Sequence, residues 1–258
     1  VNYFKEMISG DISDYAVYAH SPFDTSNKRV IVGRDVSSRY TRRNINEYTK
    51  IADYIRKMVT SRHGRYMIFF PSYSYMQSVY DIYIKKYENT ILELSAALND
   101  ENINDENTAK KGQEQQREYE GKAVYNIIKQ PSNMKESDKE SFLSLFVENE
   151  KTDIAGFCVL GGIFSEGIDL RGDALIGVAV VGTGIPMVCR QRNILRDYFD
   201  SHGRNGYQYA YVYPGMNKVL QAAGRVIRTD NDKGIILLLD DRFLTKEYEL
   251  QYPREWDK

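Results

Sequence analysis

The sequence predicts an α/β fold in which a mainly parallel β-sheet lies between two layers of helices. Short, continuous apolar runs at residues 66–70, 154–160 and 234–239 are typical of strands that are buried on both faces. Between such runs, apolar residues recur at helical spacing, most clearly in residues 44–60. Strands that alternate with helices form parallel sheets covered on both faces. With 42% hydrophobic residues in 258, the chain can bury a core of this kind.

The other elements are predicted in chain order, with residues 1–13 as a polar lead-in and residues 98–122 as a polar loop or insertion. Further strands are predicted at residues 16–19, 28–33, 90–94 and 174–181. Further helices are predicted at residues 73–86, 136–146 and 188–202, and around Arg225 and Arg228. Because ligands gather at the carboxyl ends of parallel strands, the loops that follow residues 70, 160 and 181 are candidate binding loops.

Composition limits the kinds of site that the chain can carry. The net charge of −1 means that any nucleic-acid site must be a local basic patch. Two cysteines, Cys158 and Cys189, and three scattered histidines show no metal-ligand spacing, so no metal site is predicted. No leader-like segment opens the chain, and the longest uncharged run, residues 174–189, is too short to cross a bilayer. These features favour a cytoplasmic protein without membrane contact.

A motif with two arginines precedes the last buried strand: residues 221–228 read QAAGRVIR. On a helix, Arg225 and Arg228 are three residues apart and would project together. Val226 and Ile227 would belong to the opposite, apolar stripe. Two planar guanidinium groups held side by side are well suited to a chain of phosphates.

A glycine-rich segment follows the predicted strand at residues 154–160: residues 161–169 read GGIFSEGID. Its glycines permit the close approach of a ligand, and Ser165 with nearby N–H groups could bind a phosphate. Glu166 and Asp169 could orient arginines or a ribose. Taken alone, the segment is better explained as an ordinary turn with two exposed acids.

Two further features could contact a nucleic acid. Ser72 and Tyr73 follow the strand at residues 66–70 and offer one phosphate contact and one stacking contact, although a strand cap with a buried tyrosine fits equally well. Residues 28–65 hold eleven basic and three acidic residues. Such a stretch is usually a solvated helix face. Within it, Arg39, Arg42 and Arg43 precede the helix and are the best candidates for a nucleic-acid channel.

The QAAGRVIR motif resembles motif VI of superfamily 2 helicases, and the residues that follow it resemble the DinG/XPD form: Asp232, Gly234, Asp240, Arg242 and Phe243. Residues 165–169, SEGID, resemble motif V of that family, and residues 69–73, FFPSY, resemble its motif IV region. Residues 21–23 resemble the start of the family's second motor domain. In one departure, a loop that is usually Leu-Pro-Tyr-Pro-like reads TGIP at residues 183–186. No role is therefore carried over to that loop.

The resemblance implies a RecA-like, P-loop NTPase-like second motor domain over residues 14–258, with residues 1–13 leading in from a preceding domain. In such a helicase ATP lies between two motor domains, and Arg225 and Arg228 would reach its β- and γ-phosphates. Gln221 would order the attacking water or the arginines. The residues implied on the nucleotide side are Gly167, Asp169, Glu166 and Gly224. The residues implied to contact single-stranded DNA are Ser72, Tyr73, Ser165, Arg39 and Arg43. The resemblance also implies movement along the DNA from 5′ to 3′.

Two motifs of a complete ATPase are absent from the sequence. No Gly-x-x-x-x-Gly-Lys-Ser/Thr loop is present, and no Asp-Glu-Ala-His-like box follows a strand. ATP and Mg²⁺ would therefore be held mainly by the N-terminal motor domain of the same protein, and this chain alone is expected to be inactive. The iron–sulfur cluster of many family members lies in that first domain, and none is expected here.

Two other functional classes remain as alternatives. A non-catalytic nucleic-acid-binding module could keep a RecA-like fold, but it would not need Gln221, Arg225 and Arg228. A nucleotide-binding α/β enzyme of another class, such as a hydride-transfer protein, would carry a Gly-x-Gly-x-x-Gly after its first strand, which this chain lacks.

Overall fold

The computed structural model describes residues 2–11, 13–17, 19, 23–88, 126–148, 152–164, 170, 172–229 and 231–256. Within these residues, one six-stranded sheet forms the centre of the molecule. Its strands are β1 (Lys28–Val32), β2 (Arg65–Phe70), β3 (Asn126–Lys129), β4 (Ile154–Val159), β5 (Gly177–Val181) and β6 (Gly234–Leu239). Their spatial order is β1-β6-β5-β2-β4-β3, and every neighbouring pair is parallel. The predicted α/β fold with a parallel sheet is confirmed.

Helices cover both faces of the sheet. They are α1 (Asn2–Ile8), α2 (Ile45–Ser61), α3 (Tyr73–Tyr83), α4 (Glu136–Glu148), α5 (Arg190–Ser201), α6 (Tyr213–Ala223) and the short α7 (Lys246–Glu249). A π-helical turn, Ile84–Glu88, continues α3, and another, Gln208–Val212, leads into α6. Helix α2 begins where Asn44 caps it, because the Asn44 side chain accepts a hydrogen bond from the Glu47 N–H.

Alternate side chains of the strands enter two separate cores. Met67 and Phe69 of β2 pack with α4 and α6 through residues such as Phe146 and Val219. Tyr66, Ile68 and Phe70 point to the other face, where α2 and α3 pack against them. This alternation explains the continuous apolar run in β2, because a strand between two helical layers is buried on both sides.

The strands at residues 28–33, 66–70, 154–160 and 234–239 and the helices at residues 44–60, 73–86, 136–146 and 188–202 are confirmed to within a few residues. Strand β5 begins at Gly177, three residues after the predicted start, because a 3₁₀ turn, Gly172–Ala174, precedes it. The strand predicted at residues 16–19 is wrong at residues 16, 17 and 19, which form no strand. Val17 is exposed there. Strand β3 was not predicted, because Asn126–Lys129 offers only two apolar residues.

The prediction of one helix through Arg225 and Arg228 is also wrong. Helix α6 ends at Ala223, and the Gly224 N–H donates to the Leu220 carbonyl at 2.8 Å as its cap. Glycine has a low helix propensity. Beyond it the chain turns toward β6, where Val226 occupies the space that a side chain on Gly234 would need. Both arginines therefore lie in a turn after the helix.

Three sequence predictions fall outside the described residues: the strand at residues 90–94, the polar segment at residues 98–122 and most of the entry at residues 21–23. The lead-in contains α1, whose Tyr3 ring lies 5.6 Å from that of Tyr209, and whose Glu6 pairs with Arg204 at 2.6 Å. No helix among the described residues has both the length and the hydropathy needed to cross a bilayer.

Candidate functional site

The carboxyl ends of the strands lie along one edge of the sheet and form the first part of the candidate site. Four polar or glycine positions follow them within two residues: Ser72 after β2, Gly161 after β4, Gly182 after β5 and Asp240 after β6. The parallel order brings these positions to the same edge.

One loop crosses this edge. Residues 33–44, here called the edge loop, join β1 to α2. The N–H and the hydroxyl of Ser38 donate to the Asp240 carboxylate at 2.8 and 2.7 Å. Ser38 also lies so close to Gly182 that a Cβ there would come within 2.5 Å of its Oγ. The edge loop therefore extends from β1 over the ends of β6 and β5.

Asp240 anchors the edge loop from inside the protein. Its carboxylate is fully buried and also accepts two hydrogen bonds from Arg242, from Nε at 2.8 Å and from Nη2 at 2.9 Å. Burial by itself would raise the pKa of Asp240, but the hydrogen bonds and positive charge of Arg242 and the bonds from Ser38 outweigh it. The pKa therefore lies below its ordinary value, and Asp240 is an anion at neutral pH.

A second group of charges holds the outer part of the edge loop. Asp241 pairs with Arg39 at 3.0 Å and with Arg42 at 3.1 Å. Arg42 also pairs with Glu47 of α2 at 3.1 Å. The Glu47 side chain is buried and accepts a hydrogen bond from the Ser37 N–H. Arg39, predicted to contact DNA, is thus ion-paired while its side chain stays 44% exposed.

Arg43, the other arginine predicted to contact DNA, lies between two aromatic rings. Its guanidinium carbon is 5.6 Å from the centre of the Tyr40 ring and 5.1 Å from that of Tyr75 in α3. Its Nε donates to the Ser38 carbonyl at 3.3 Å. Arg43 therefore links the edge loop to α3 by cation–π contacts.

Ser72 and Tyr73 occupy the start of α3. The Ser72 hydroxyl caps the helix by accepting from the Tyr75 N–H at 3.3 Å. Tyr73 is partly buried against the core that α2 and α3 share. Both residues lie just past the end of β2, as predicted. The contacts that they make in the described structure stabilise α3.

The motif with two arginines forms a turn at residues 224–229, here called the arginine turn. Arg225 is only 5% exposed, and its Nη2 donates to the Phe164 carbonyl at 2.9 Å. Burial is the main cause that lowers the pKa of Arg225, and the nearby Arg228 adds to it. Phe164 lies in residues 161–164, here called the glycine turn. The described part of the glycine-rich segment is thus in direct contact with the arginine turn.

A small cavity lies where these segments meet. Gln221 and Lys218 line it together with Gly161 and Arg225. Gln221 is exposed, whereas Lys218 is partly buried. Desolvation lowers the pKa of Lys218, and the charge of Arg192 lowers it further. Lys218 lies three residues before Gln221 on the same helix face, and that spacing could have identified it.

Arg228 lies on the surface. Its N–H donates at 2.7 Å to the buried Asp232 carboxylate, which also accepts from the Thr229 N–H and hydroxyl. Asp232 thus fixes the backbone of the arginine turn while the Arg228 side chain is exposed. Gly224 faces a different space, a cleft of about 240 Å³ that Lys28 and Trp256 also line.

Four of the predicted site residues cannot be placed. Ser165, Glu166, Gly167 and Asp169 lie outside the described residues. They are flanked in sequence by Phe164 and Leu170, which are both buried. Among the described residues, no three side chains of histidine, cysteine, aspartate or glutamate gather as metal ligands would.

The edge loop and the backbone of the arginine turn meet the sheet at different places, although the Arg225 side chain reaches the cavity beside Gly161. The edge loop and Ser72 lie at the carboxyl ends, whereas the arginine turn contacts Gly234, the first residue of β6. Sequence reasoning did not identify the roles of Ser38, Glu47 and Asp241. Ser38 bonds to Asp240 and Asp241 to Ser37, pairs that are more than 200 residues apart in the chain.

In comparisons with known proteins, the chain matches one protein family and several relatives. The family described as helicase C-terminal domain matches residues 55–258. A probable ATP-dependent helicase of Methanocaldococcus jannaschii is 26% identical over 235 residues, which cover 86% of this chain and 30% of that protein. The 3′-5′ exonuclease DinG of Staphylococcus saprophyticus is 26% identical over 250 residues, which cover 95% of this chain and 23% of that protein.

A solved XPD helicase structure has the same fold. It superposes with a TM-score of 0.58 at 22% identity, over 87% of this chain and 33% of that chain. The chain therefore spans about a third or less of the length of the relatives it matches.

Proposed function

The chain belongs to the helicase C-terminal domain family, in its DinG/XPD-type form, and we propose that it is the half of an ATP-dependent DNA helicase that supplies arginines to ATP. The ATP and Mg²⁺ would be held mainly by the N-terminal motor domain of the same protein. The same chain would bind single-stranded DNA. The movement from 5′ to 3′ and the location of any iron–sulfur cluster in the N-terminal part follow from the family resemblance.

The observation that best supports this proposal is the hydrogen bond from Arg225 to the Phe164 carbonyl. It joins the arginine turn to the glycine turn, and the residues that resemble motif V follow Phe164 directly. A buried guanidinium in this position braces both segments. We therefore assign to Arg225 the positioning of the two motifs and to Arg228 the direct contact with phosphate.

The residues near Arg228 fit a phosphate ligand. Its guanidinium is exposed on a turn whose backbone Asp232 fixes, so its forked donors can face an anion from another domain. Exposed Gln221 lines the same small cavity as Arg225 and would order a water or the arginines. ATP, when bound between the two motor domains, supplies the phosphoanhydride bond that is hydrolysed. An arginine that neutralises such a phosphate is worth roughly 10³–10⁵ in rate in related systems.

The surface at the carboxyl edge fits single-stranded DNA. The half-exposed Arg39 and the Arg43–Tyr40 pair lie on the edge loop. The start of α3 at Ser72 lies next to them, and a helix start favours phosphate. Ser165 would also contact the DNA, and Glu166 and Asp169 would link this surface to the nucleotide side.

Substitution of Arg228 tests the proposal in the full-length protein. Arg228→Ala should lower DNA-stimulated ATP hydrolysis by roughly 10³–10⁵ and leave the affinity for oligothymidylate unchanged. Arg225→Ala should also abolish hydrolysis, and it should lower the free energy of unfolding by about 1–3 kcal/mol, because the buried Phe164 carbonyl loses its donor.

Arg29→Ala is the matched control, because Arg29 is an exposed arginine on the edge strand β1. It should change neither hydrolysis nor binding. Normal hydrolysis by Arg228→Ala would contradict the proposal. It would favour the alternative, a nucleic-acid-binding module in which the arginine turn has only a structural role.

A further inference from the structure

We propose that Tyr40 is a base-stacking residue for single-stranded DNA, an inference that rests on the DNA binding proposed above. Its side chain is 84% exposed at the start of the 3₁₀ turn Tyr40–Arg42 in the edge loop. Single exposed aromatic residues are common on protein surfaces. Tyr40 differs from such residues because the backbone before and after it is held in place by hydrogen bonds and ion pairs.

The residues around Tyr40 are held by charged groups inside the domain. Ser38 is bonded to the buried Asp240, and Arg39 is paired with Asp241. On the other side, Arg42 bridges Asp241 and Glu47. The backbone that carries the Tyr40 ring is thus ordered before any ligand binds, which lowers the entropic cost of binding.

Arg43 occupies one side of the Tyr40 ring. Its guanidinium lies 5.6 Å from the ring centre and contacts Tyr75 from the same position. The 84% exposure of Tyr40 leaves the rest of the ring accessible to solvent. A nucleobase could stack on that accessible surface, and such stacking tolerates any sequence.

The charge of the edge loop favours a polyanion over an apolar partner. Four guanidinium groups and three carboxylates form the network under Tyr40, which leaves a positive excess: Arg39, Arg42, Arg43 and Arg242 against Asp240, Asp241 and Glu47. The N-terminus of the eleven-residue α3, which also favours phosphate, lies next to Tyr75 on the other side of Arg43. A ring for a base and donors for phosphate are thus adjacent, as binding to single strands requires.

The test measures the affinity of the full-length protein for oligothymidylate by fluorescence anisotropy. Tyr40→Ala should weaken binding by about 5- to 150-fold, the loss expected for one base–ring stack, while Tyr40→Phe and Tyr40→Trp should bind like the wild type. Because tyrosine is neutral, the salt dependence of binding should not change in Tyr40→Ala. Arg43→Ala should reduce the slope of log K against log salt by about 0.7 if Arg43 contacts one phosphate.

Tyr15→Ala is the matched control, since Tyr15 is fully exposed and lies outside the edge loop. It should bind like the wild type. If the wild type binds oligothymidylate and Tyr40→Ala binds equally well, the stacking role of Tyr40 is refuted while the DNA-binding function stands. If the wild type does not bind, both proposals fail.

Photocrosslinking provides a second measurement. An oligonucleotide with 5-iodouracil should form its adduct on the edge loop at Tyr40, and an adduct confined to other segments would place the DNA elsewhere. The unfolding midpoint of Tyr40→Ala should match that of the wild type, because the ring buries little surface.

Discussion

At the scale of single residues, Asp240 shows how a buried charge can organise a surface. The carboxylate lies at the end of the apolar strand β6 and has no exposure to solvent. It accepts hydrogen bonds from Arg242 and from Ser38, so its negative charge is compensated on both oxygens. A buried charge of this kind is costly unless every bond is made. The position of the edge loop therefore depends in part on one fully buried side chain.

Replacement of Asp240 by asparagine should be strongly destabilising. Asp240→Asn removes the negative charge and leaves the half-buried Arg242 without its counter-ion, which typically costs about 3–5 kcal/mol. Urea denaturation at pH 7 measures the change. Asp197→Asn is the control, because Asp197 forms an exposed pair with its neighbour Arg196 and should leave the free energy of unfolding unchanged within error.

The difference in stability between the wild type and Asp240→Asn should depend on pH. Because Arg242 and Ser38 hold the pKa of Asp240 below its ordinary value, the stabilisation is complete above the pKa of the unfolded chain, about 3.9. It is lost as the pH falls below that value toward the folded-state pKa. The stability difference between wild type and Asp240→Asn should therefore narrow below about pH 4. A stability difference that stays constant below about pH 4 would show that Asp240 and Arg242 stabilise the fold through packing rather than through charge.

At the scale of elements, the loop after β5 and helix α6 meet at two glycines. Gly184 has a φ of +67°, and a Cβ on it would come within 2.5 Å of the Gly215 carbonyl oxygen. A Cβ on Gly215 would in turn approach the Thr183 carbonyl at 2.7 Å. The backbone of α6 can therefore lie directly on the carboxyl edge of the sheet. This contact gives a structural reason for the glycine in the TGIP loop.

Gly184→Ala should destabilise the domain more than a glycine-to-alanine change with the same backbone angle elsewhere. Gly203 has a φ of +70°, and no atom lies within 4 Å of the position that its Cβ would take, so Gly203→Ala should cost only the backbone strain, about 1–2 kcal/mol. Gly184→Ala should add about 1–3 kcal/mol for the steric overlap. Thermal and urea denaturation of both variants provide the measurement. Equal losses would show that α6 can move away from the loop at little cost.

The elements also show which parts of the fold a sequence can reveal. The strands β2, β4 and β6 were predictable because both of their faces are buried, so their apolar runs are continuous. The end of α6 was not predicted, since Ala222, Ala223, Val226 and Ile227 continue the helical spacing past Gly224. Only the position of β6 shows why the chain must turn there.

The sequence predicted the separate segments of the candidate site but not how their side chains are arranged. The glycine turn and the arginine turn could be recognised as motifs, and they are in contact. The burial of Arg225 could not be predicted, because its partner Phe164 lies 61 residues earlier in the chain. The ion pairs of Arg39 and Arg42 with Asp241 likewise join residues that are about 200 positions apart in the sequence. Local sequence therefore indicated which residue types matter but not which of them face solvent.

At the scale of the whole molecule, the glycine turn after β4 contacts both α6 and the arginine turn. It leaves β4 at the carboxyl edge, where Gly161 lies against Lys218 of α6. Phe164 then accepts the hydrogen bond of Arg225, and the Gly172 backbone donates to Asp232 beside the arginine turn. The arginine turn is therefore held by described residues on both sides of the segment that resembles motif V.

Under the proposed function, this arrangement acts in hydrolysis only if another domain closes over the arginine turn. Hydrolysis requires a phosphate cradle, a metal site and a charge-neutralising arginine, and the sequence contains a candidate only for the arginine. The chain of 258 residues, purified alone, should release no phosphate from ATP above background, with or without single-stranded DNA. The full-length protein should hydrolyse ATP under the same conditions, and its Arg228→Ala variant should not. Steady turnover by the isolated chain would mean that a complete nucleotide site lies within this sequence, and the arginine turn would then need a partner inside the domain rather than across a cleft.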